Sequence, residues 1–550
     1  MKRVVLFTCL SFLSFNISLF AQGNETDAFT LSNADLSGTA RSMSMGGAFG
    51  ALGGDISVIS NNPAGLGIYR SSEVSGSFDL SMIRTSTDWT STKIDRNKTN
   101  FSPNSFGVEL FFPTSGGSIR NWNLGFSYNR AKNFNRRYKM ESSAQPHSLA
   151  SYAAIRASNA FLENDGQYAG IAENAIGYDN GYNPYYNSNL AGNWLPVLGY
   201  NSGMIGNMGD DPDGVYKNAF GSNRDWYVKP KFSMLNVIES GYMDEFNVGF
   251  GMNISNFMFV GTSISVTNLN YKYASGYEEL LAGENSNRDD HLYLSNWLTT
   301  EGTAVSANIG AIMNLQAIRI GVAYNSPRWY DMTDYFHANA GTSISSYSEP
   351  EMEDSTPNNE FSEYEFRTPG KWIFSGALIL GQHALISTDY EIMNYSSMRY
   401  FGRDNYDERY EYNTNYDIRD DYTWSHTLRL GAEIKVNPQF AVRGGYVMQT
   451  SPMRQVLSNN EVEVLPSGTI PHFTVTAKPV NTYTVGFGYR FTPNFFMDLA
   501  CVYRSQRSKA YAFSYTYYNE PSAGILPVPS VPAKLDTKST RVILTMGYKF

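Results

Sequence analysis

FNVGFGMNISNFMFVGTSISV, residues 246–266, is the stretch from which the fold of this chain is read. Phe246, Val248, Phe250, Met252 and Ile254 alternate with Asn247, Gly249, Gly251 and Asn253. After a two-residue link, Ser255-Asn256, the pattern resumes at Met258, Val260, Thr262, Ile264 and Val266. A period of two puts one set of side chains on each face of a strand. A soluble sandwich shows the same alternation, so one hairpin does not choose between sandwich and barrel. Repetition does. Strands are expected near 73–82, 103–112, 122–132, 246–254, 258–266, 302–314, 317–325, 369–380, 383–393, 428–436, 439–448, 480–491, 495–504 and 538–550. That makes fourteen, each close to the ~9–11 residues that cross a bilayer on a tilt.

The links between these strands alternate. Ser255-Asn256, Gly381-Gln382 and Asn437-Pro438 are short, whereas the intervening links are long, the longest spanning about 133–231. An even strand count with short turns at one end and long loops at the other is the pattern of an outer-membrane β-barrel. Both termini then fall on the short-turn, periplasmic side. The chain ends Val542, Leu544, Met546, Tyr548, Phe550 on one face, and a terminal aromatic there predicts recognition of Phe550 by the barrel-assembly machinery.

Composition agrees. Aromatic residues make up 15% of the 550 residues, with 39 Tyr and 33 Phe, against only 17% charged residues. No run of ~20 apolar residues lies outside the N-terminus, which excludes a helical bundle as the spanning element. Lys2 and Arg3 followed by Val4–Phe20 read as a secretory leader, residues 1–21, cut after Ala21. Cleavage removes two positive charges, taking the net charge from -9 to -11, and leaves Cys501 as the single cysteine. An acidic chain with no basic stripe gives no reason to expect nucleic-acid binding.

The remaining N-terminal stretch, residues 22–71, is of another kind. Residues 22–38 are polar and are expected to form a short periplasmic lead. TARSMSMGGAFGALGGDISVISNNPAGLG, residues 39–67, is too rich in glycine for a ladder yet carries apolar side chains that need burial. Eight strands make a roughly filled barrel, so fourteen enclose a lumen that needs a plug, and this is the segment placed to supply one. The expected architecture is therefore all-β: a transmembrane antiparallel barrel of about 14 strands over 72–550, an N-terminal hatch over 22–71 and long extracellular loops.

Two groups in the plug are candidate functional residues. Met43, Met45, Phe49 and Leu52 either contact an apolar guest or pack the plug against the wall. Asn62-Pro63-Ala64-Gly65 is either a plain tight link or a gating turn, since proline fixes φ and lacks a donor. In the 133–231 loop, Ser148–Gly177 has helical spacing and reads as a capturing lid or as a packed cap. Acidic residues near 349–365 and 404–421 fall in predicted external loops, where they keep the surface soluble or bridge divalent cations to lipopolysaccharide. Asp210–Gly214 lacks the spacing of a calcium loop, and no metal or cofactor site is expected. No H-E-x-x-H, G-x-S-x-G, P-loop or cysteine cluster is present, so no catalytic residues are assigned.

The order of motifs resembles the FadL/TodX family of outer-membrane transporters for hydrophobic compounds. The matching residues are Gly46-Gly47-Ala48-Phe49, Asn62-Pro63-Ala64-Gly65-Leu66, Ala323-Tyr324-Asn325-Ser326-Pro327, Thr368-Pro369-Gly370-Lys371-Trp372 and Arg443-Gly444-Gly445-Tyr446. The 133–231 loop does not match. The resemblance implies a fourteen-stranded barrel in a Gram-negative outer membrane, with Asn62, Pro63 and Ala64 in the hatch element that controls passage. It implies passive uptake of long-chain fatty acids or aromatic hydrocarbons and lateral release into the membrane. The alternative is a surface adhesin or a haem or ligand receptor that uses the long loops, with the barrel as anchor. An apolar pocket continuous with the plug would favour transport.

Overall fold

The structure is a computed structural model that describes residues 23–162, 168–190, 192–207, 214–220, 227–283, 288–345, 351–358, 360–402, 414–454, 470–476, 478–520 and 524–550. The expected leader, the Asp210–Asp213 part of the discounted calcium-like loop and Asp404 at the start of the second acidic run lie outside these residues.

Fourteen strands close into an antiparallel barrel: β1 (Glu73–Trp89), β2 (Thr92–Pro113), β3 (Ile119–Asn133), β4 (Phe232–Ile254), β5 (Met258–Leu281), β6 (Asp290–Leu315), β7 (Ile318–Asn325), β8 (Lys371–Leu380), β9 (Ala384–Asn394), β10 (Trp424–Lys435), β11 (Phe440–Gln449), β12 (Val480–Arg490), β13 (Phe495–Tyr511) and β14 (Ala533–Lys549). β14 pairs back onto β1 from Glu73↔Lys549 to Asp88↔Lys534, which closes the sheet on itself. The hairpin turns are tight. Ser255 and Asn256 take φ of 56° and 58°, the left-handed pair whose twist matches two antiparallel strands.

The two faces are inverted relative to a soluble protein. Phe246 and Val248 are each 52% exposed and Ile309 is 61% exposed, whereas Asn247, Ser265 and Asn253 are buried. Apolar side chains outside and small polar ones inside are what lipid on one face and a lumen on the other require.

At the long-loop end the wall rises beyond the lipid band. Arg136–Ser142 extends β3, and Trp329–Ser343, Glu360–Arg367 and Arg399–Gly402 extend β7, β8 and β9. Acidic Glu351, Glu353, Glu363 and Glu365, expected in loops, thus stand on strands of this raised rim. The link between β1 and β2, expected to be long, is only Thr90-Ser91, because both strands continue upward. The 133–231 loop folds onto the rim. Its helix α3 (Leu149–Ser158) begins where the Ser148 hydroxyl accepts the Ala150 N–H at 3.1 Å, and Leu149, Ile155 and Leu198 join Trp89, Tyr138, Leu294 and Tyr400 in one apolar core.

Residues 23–38 depart from expectation. They do not lead in from the short-turn side. Helix α1 (Glu25–Ser32) lies at the long-loop end, where Phe29 packs on Tyr395 and Tyr422 and the Tyr400 and Tyr422 hydroxyls donate to the Asn24 and Glu25 carbonyls at 3.0 Å. The physical reason is burial of Ala28 and Leu31 in the same apolar core, which outweighs the polar look of the segment.

Candidate functional site: the lumen and its N-terminal segment

From α1 the chain descends through the lumen to β1, making a short helix α2 (Ala40–Ser44) and two 3-10 turns, Ile56–Ser60 and Pro63–Ile68. Caps hold this compact shape. Thr39 Oγ1 accepts the Ser42 N–H at 3.1 Å and donates to Asp55 at 2.7 Å, and Asp55 in turn accepts the Ser57 N–H at 3.0 Å.

The wall is shaped to receive the segment. A Cβ added to Gly125 or Gly249 would crowd Ile59 and Leu66, one on Gly251 would crowd Leu66 and Gly67, one on Gly261 would overlap Pro63, and one on Gly310 would overlap the Asn62 carboxamide. Gly321, Gly431, Gly445 and Gly486 meet Gly50, Met45, Gly46 and Ser44 in the same manner. Inward glycines on strands around the barrel let the wall touch the segment's backbone. Wall side chains then satisfy its exposed polar groups. Asn121, Ser263, Arg319 and Thr484 donate to the carbonyls of Gly67, Ile59, Leu52 and Ser44 at 2.7–3.1 Å, and Asp389 accepts the Gly50 N–H at 3.0 Å. Arg41 pairs with Glu433 at 3.3 Å, and Glu433 also pairs with Arg443 at 2.6 Å.

Asn62 is a junction of these contacts. Its Nδ2 donates to Gly50 O at 2.6 Å and to Ala311 O of β6 at 3.4 Å, while its Oδ1 accepts the Ala64 N–H at 3.2 Å. Pro63 occupies the first position of the 3-10 turn, where a missing N–H costs nothing. Gly65 packs on Gly53, and its carbonyl accepts the Gly54 N–H at 3.2 Å. The four residues therefore link the glycine-rich loop, the turn and the wall.

Met43, Met45, Phe49 and Leu52 are all buried within the segment. Met43 packs on Ala500, Val502 and Ile543, and the other three join Ile56, Ile59, Leu66 and Ala377. None of the four borders the cavity above the segment. That cavity, ≈ 180 Å³, is bounded below by residues 32–37, 47, 60 and 61 and is not the apolar pocket expected from sequence. Its lining has two sides. Val447, Val480 and Val502 come from β11–β13, whereas Arg328, Lys371, Glu391 and Arg429 come from the stretch between β7 and β10. Glu391 pairs with both Arg429 (3.0 Å) and Lys371 (3.4 Å), and Arg328 pairs with Glu245 (2.6 Å), so this side carries one cation in excess. Arg504 pairs with Asp35 of the segment at 2.7 Å, and Arg541 with Asp79 at 2.6 Å.

The cavity also reaches a seam in the wall. The β2–β3 ladder runs from Pro113↔Asn121 to Ser105↔Asn129 and stops there. Above that point β2 pairs with β1, and Arg136–Ser142 pairs with β4. Asn129 and Ala131 border the cavity at the place where the ladder ends. Side chains bridge the gap in place of a ladder: Thr85 and Thr87 donate to the Arg137 and Lys139 carbonyls at 2.6 and 2.5 Å, and Arg137 donates to Asn97 O at 2.8 Å.

In α1, burial pushes the Asp27 carboxyl up to about 6 and holds Glu25 well above the usual carboxylate range.

Sequence reasoning missed both the seam and the charged cavity. The glycines that accept the segment were visible as the inward positions of β4, but their role needs the segment in place.

The pattern that defines the outer membrane protein transport protein family (OMPP1/FadL/TodX) matches residues 242–550. Among solved structures, a Pseudomonas aeruginosa FadL homologue superposes at a TM-score of 0.50 with 10% identity, over 94% of this chain and 99% of that one. The toluene transporter TodX of P. putida (TM-score 0.46, 10% identity, 94% and 99% covered) and the toluene transporter TbuX of Ralstonia pickettii (0.42, 12%, 95% and 100%) are more distant in shape. No curated protein matches the chain.

Proposed function

Because the chain belongs to the outer-membrane transport protein family of FadL and TodX, we propose that it is a passive uptake channel of the Gram-negative outer membrane for hydrophobic small molecules that carry an acidic head. Long-chain fatty acids fit this description better than aromatic hydrocarbons. Val447, Val480 and Val502 give one side of the cavity an apolar surface among Gln449, Thr482 and Arg504, and the other side holds Lys371 and Arg429 around a single Glu391, which suits an apolar chain ending in a carboxylate.

In this reading residues 22–71 act as the hatch, Asn62, Pro63, Ala64 and Gly65 form its gating turn, and release is lateral. The observation that carries it is the meeting of three features at one cavity: the segment forms its floor, the charged and apolar surfaces form its sides, and the β2–β3 seam opens beside it. Passage needs the floor to shift, because the segment is bonded to strands all around the barrel. Met43, Met45, Phe49 and Leu52 would meet a guest only in the shifted state.

A reversible lock tests this. Ile56 Cβ lies 3.2 Å from where a Cβ on Gly107 would stand, a few tenths of an ångström short of the usual disulfide range. I56C/G107C in a C501S background, reconstituted in vesicles, should take up a labelled long-chain fatty acid only after reduction. Equal uptake by the oxidised and reduced protein would refute hatch gating.

A further inference from the structure

The raised rim beside the seam carries a second feature, on the outer surface and separate from the lumen. Arg96 of β2, Arg137 and Lys139 of the β3 extension, and Met234, Asn236 and Ile238 of β4 line a groove of ≈ 350 Å³. The β3-extension and β4 residues point away from the lumen, because they alternate with the buried Tyr138, Met140, Leu235 and Val237.

The height of the groove can be read from the register. On β1 the outward residues Phe78, Leu80 and Met82 form the lipid-facing band, and the next outward position is Arg84. Met82 pairs with Thr99 and Thr85 with Arg96, so Arg96 stands three residues above the last apolar outward position of β1, across from the buried Thr85. On β4 the outward Tyr242 precedes Ile238 in the climb, and Ile238 pairs with Arg137. Aromatic side chains mark the interface of such barrels. The groove therefore stands at the level of the outer-leaflet head groups.

Its charge is one-sided. Lys139 pairs with Glu141 at 2.6 Å. Arg96 and Arg137 face no carboxylate within ion-pair distance among the described residues; their side-chain bonds go to the Asp95 carbonyl (3.2 Å) and the Asn97 carbonyl (2.8 Å). A guanidinium has five donors, so most of them remain available.

We infer that this groove binds the phosphate of an anionic lipid of the outer leaflet, the phosphorylated glycolipid. Arg96, Arg137 and Lys139 take the phosphate, and Met234 and Ile238 take the first part of an acyl chain. Charge complementarity and height select this occupant. A soluble anion would use the three cations and leave the apolar floor idle.

Native mass spectrometry of the detergent-purified full chain reads the outcome. Diphosphorylated lipid A should bind the wild type roughly tenfold or more tightly than R96Q/R137Q/K139Q, while the distant surface variant R507Q binds as the wild type does. Dephosphorylated lipid A should bind wild type and triple variant alike, and inorganic phosphate should not compete at the lipid's concentration. R96K/R137K, which keeps both charges, guards against a folding defect by retaining most of the binding. Equal lipid A binding by wild type and triple variant, or full competition by inorganic phosphate, would overturn the assignment.

Discussion

Replacing Asn62 by alanine should loosen the N-terminal segment from the wall, and the neighbouring glycine makes the effect diagnostic. The change removes the cap on the Pro63–Ile68 turn, which costs about 1 kcal/mol. It also leaves the buried Gly50 carbonyl without the Asn62 Nδ2 donor at 2.6 Å, a loss of about 1–3 kcal/mol. The Ala311 contact at 3.4 Å adds little, since that residue already sits in the β5–β6–β7 ladders. Together these give about 2–4 kcal/mol, a shift of roughly 30- to 700-fold between docked and displaced segment. G310A alone should also destabilise the docked state, by about 1–3 kcal/mol, because its methyl group would overlap the Asn62 carboxamide. In N62A/G310A that carboxamide is gone and the overlap with it disappears. The double variant should thus be less perturbed than the sum of the singles, with a coupling of about 1–3 kcal/mol. Hydrogen exchange of the amides of residues 39–67 in nanodiscs measures all three. Additive effects, or exchange in N62A within threefold of wild type, would refute the idea that this contact pins the segment.

Three further outcomes are expected. K371M leaves Glu391 paired with Arg429 and removes the surplus cation, so KM for fatty-acid uptake should rise roughly tenfold while uptake of the matching fatty alcohol is unchanged. T85V/T87V removes the two threonine bridges across the seam, at about 1 kcal/mol each, and amides 136–142 should exchange at least tenfold faster with the barrel intact. Asp27 has a folded-state value raised from 3.8 to about 6, so the docked helix α1 binds the proton more tightly than the released one. Its docking is then firmest at low pH, weakens as pH rises through 3.8–6, and levels off above that; α1 amides, corrected for intrinsic rate, should be better protected at pH 5 than at pH 7.5.

The barrel was legible because its signal is local. Alternation at Phe246–Ile254 and Met258–Val266 needs only neighbours in sequence, and the alternation of short and long links fixes direction. That residues 39–67 are not a strand of the wall was legible by exclusion, since Gly46, Gly47, Gly53 and Gly54 cannot serve a ladder, and all four take positive φ. What was not legible depends on partners distant in sequence. Glu245, Arg328, Lys371, Glu391 and Arg429 reach one cavity from five separate places, so an apolar pocket was expected where a half-charged one stands. The seam was hidden for the same reason: β2 and β3 both read as strands, and only the end of their shared ladder at Ser105↔Asn129 reveals the gap. Residues 22–38 looked like a lead because their polar residues outnumber Ala28, Phe29 and Leu31, the three that decide where α1 sits.

The proposed function turns on an acidic, apolar molecule occupying the lumen above the N-terminal segment. A structure of the protein soaked with a brominated long-chain fatty acid locates such a molecule. The carboxylate should lie within hydrogen-bond reach of Lys371 and Arg429, with bromine density along Val447, Val480 and Val502. Bromine found only against the external loops, with the cavity empty, would contradict it and favour a surface receptor anchored by the barrel.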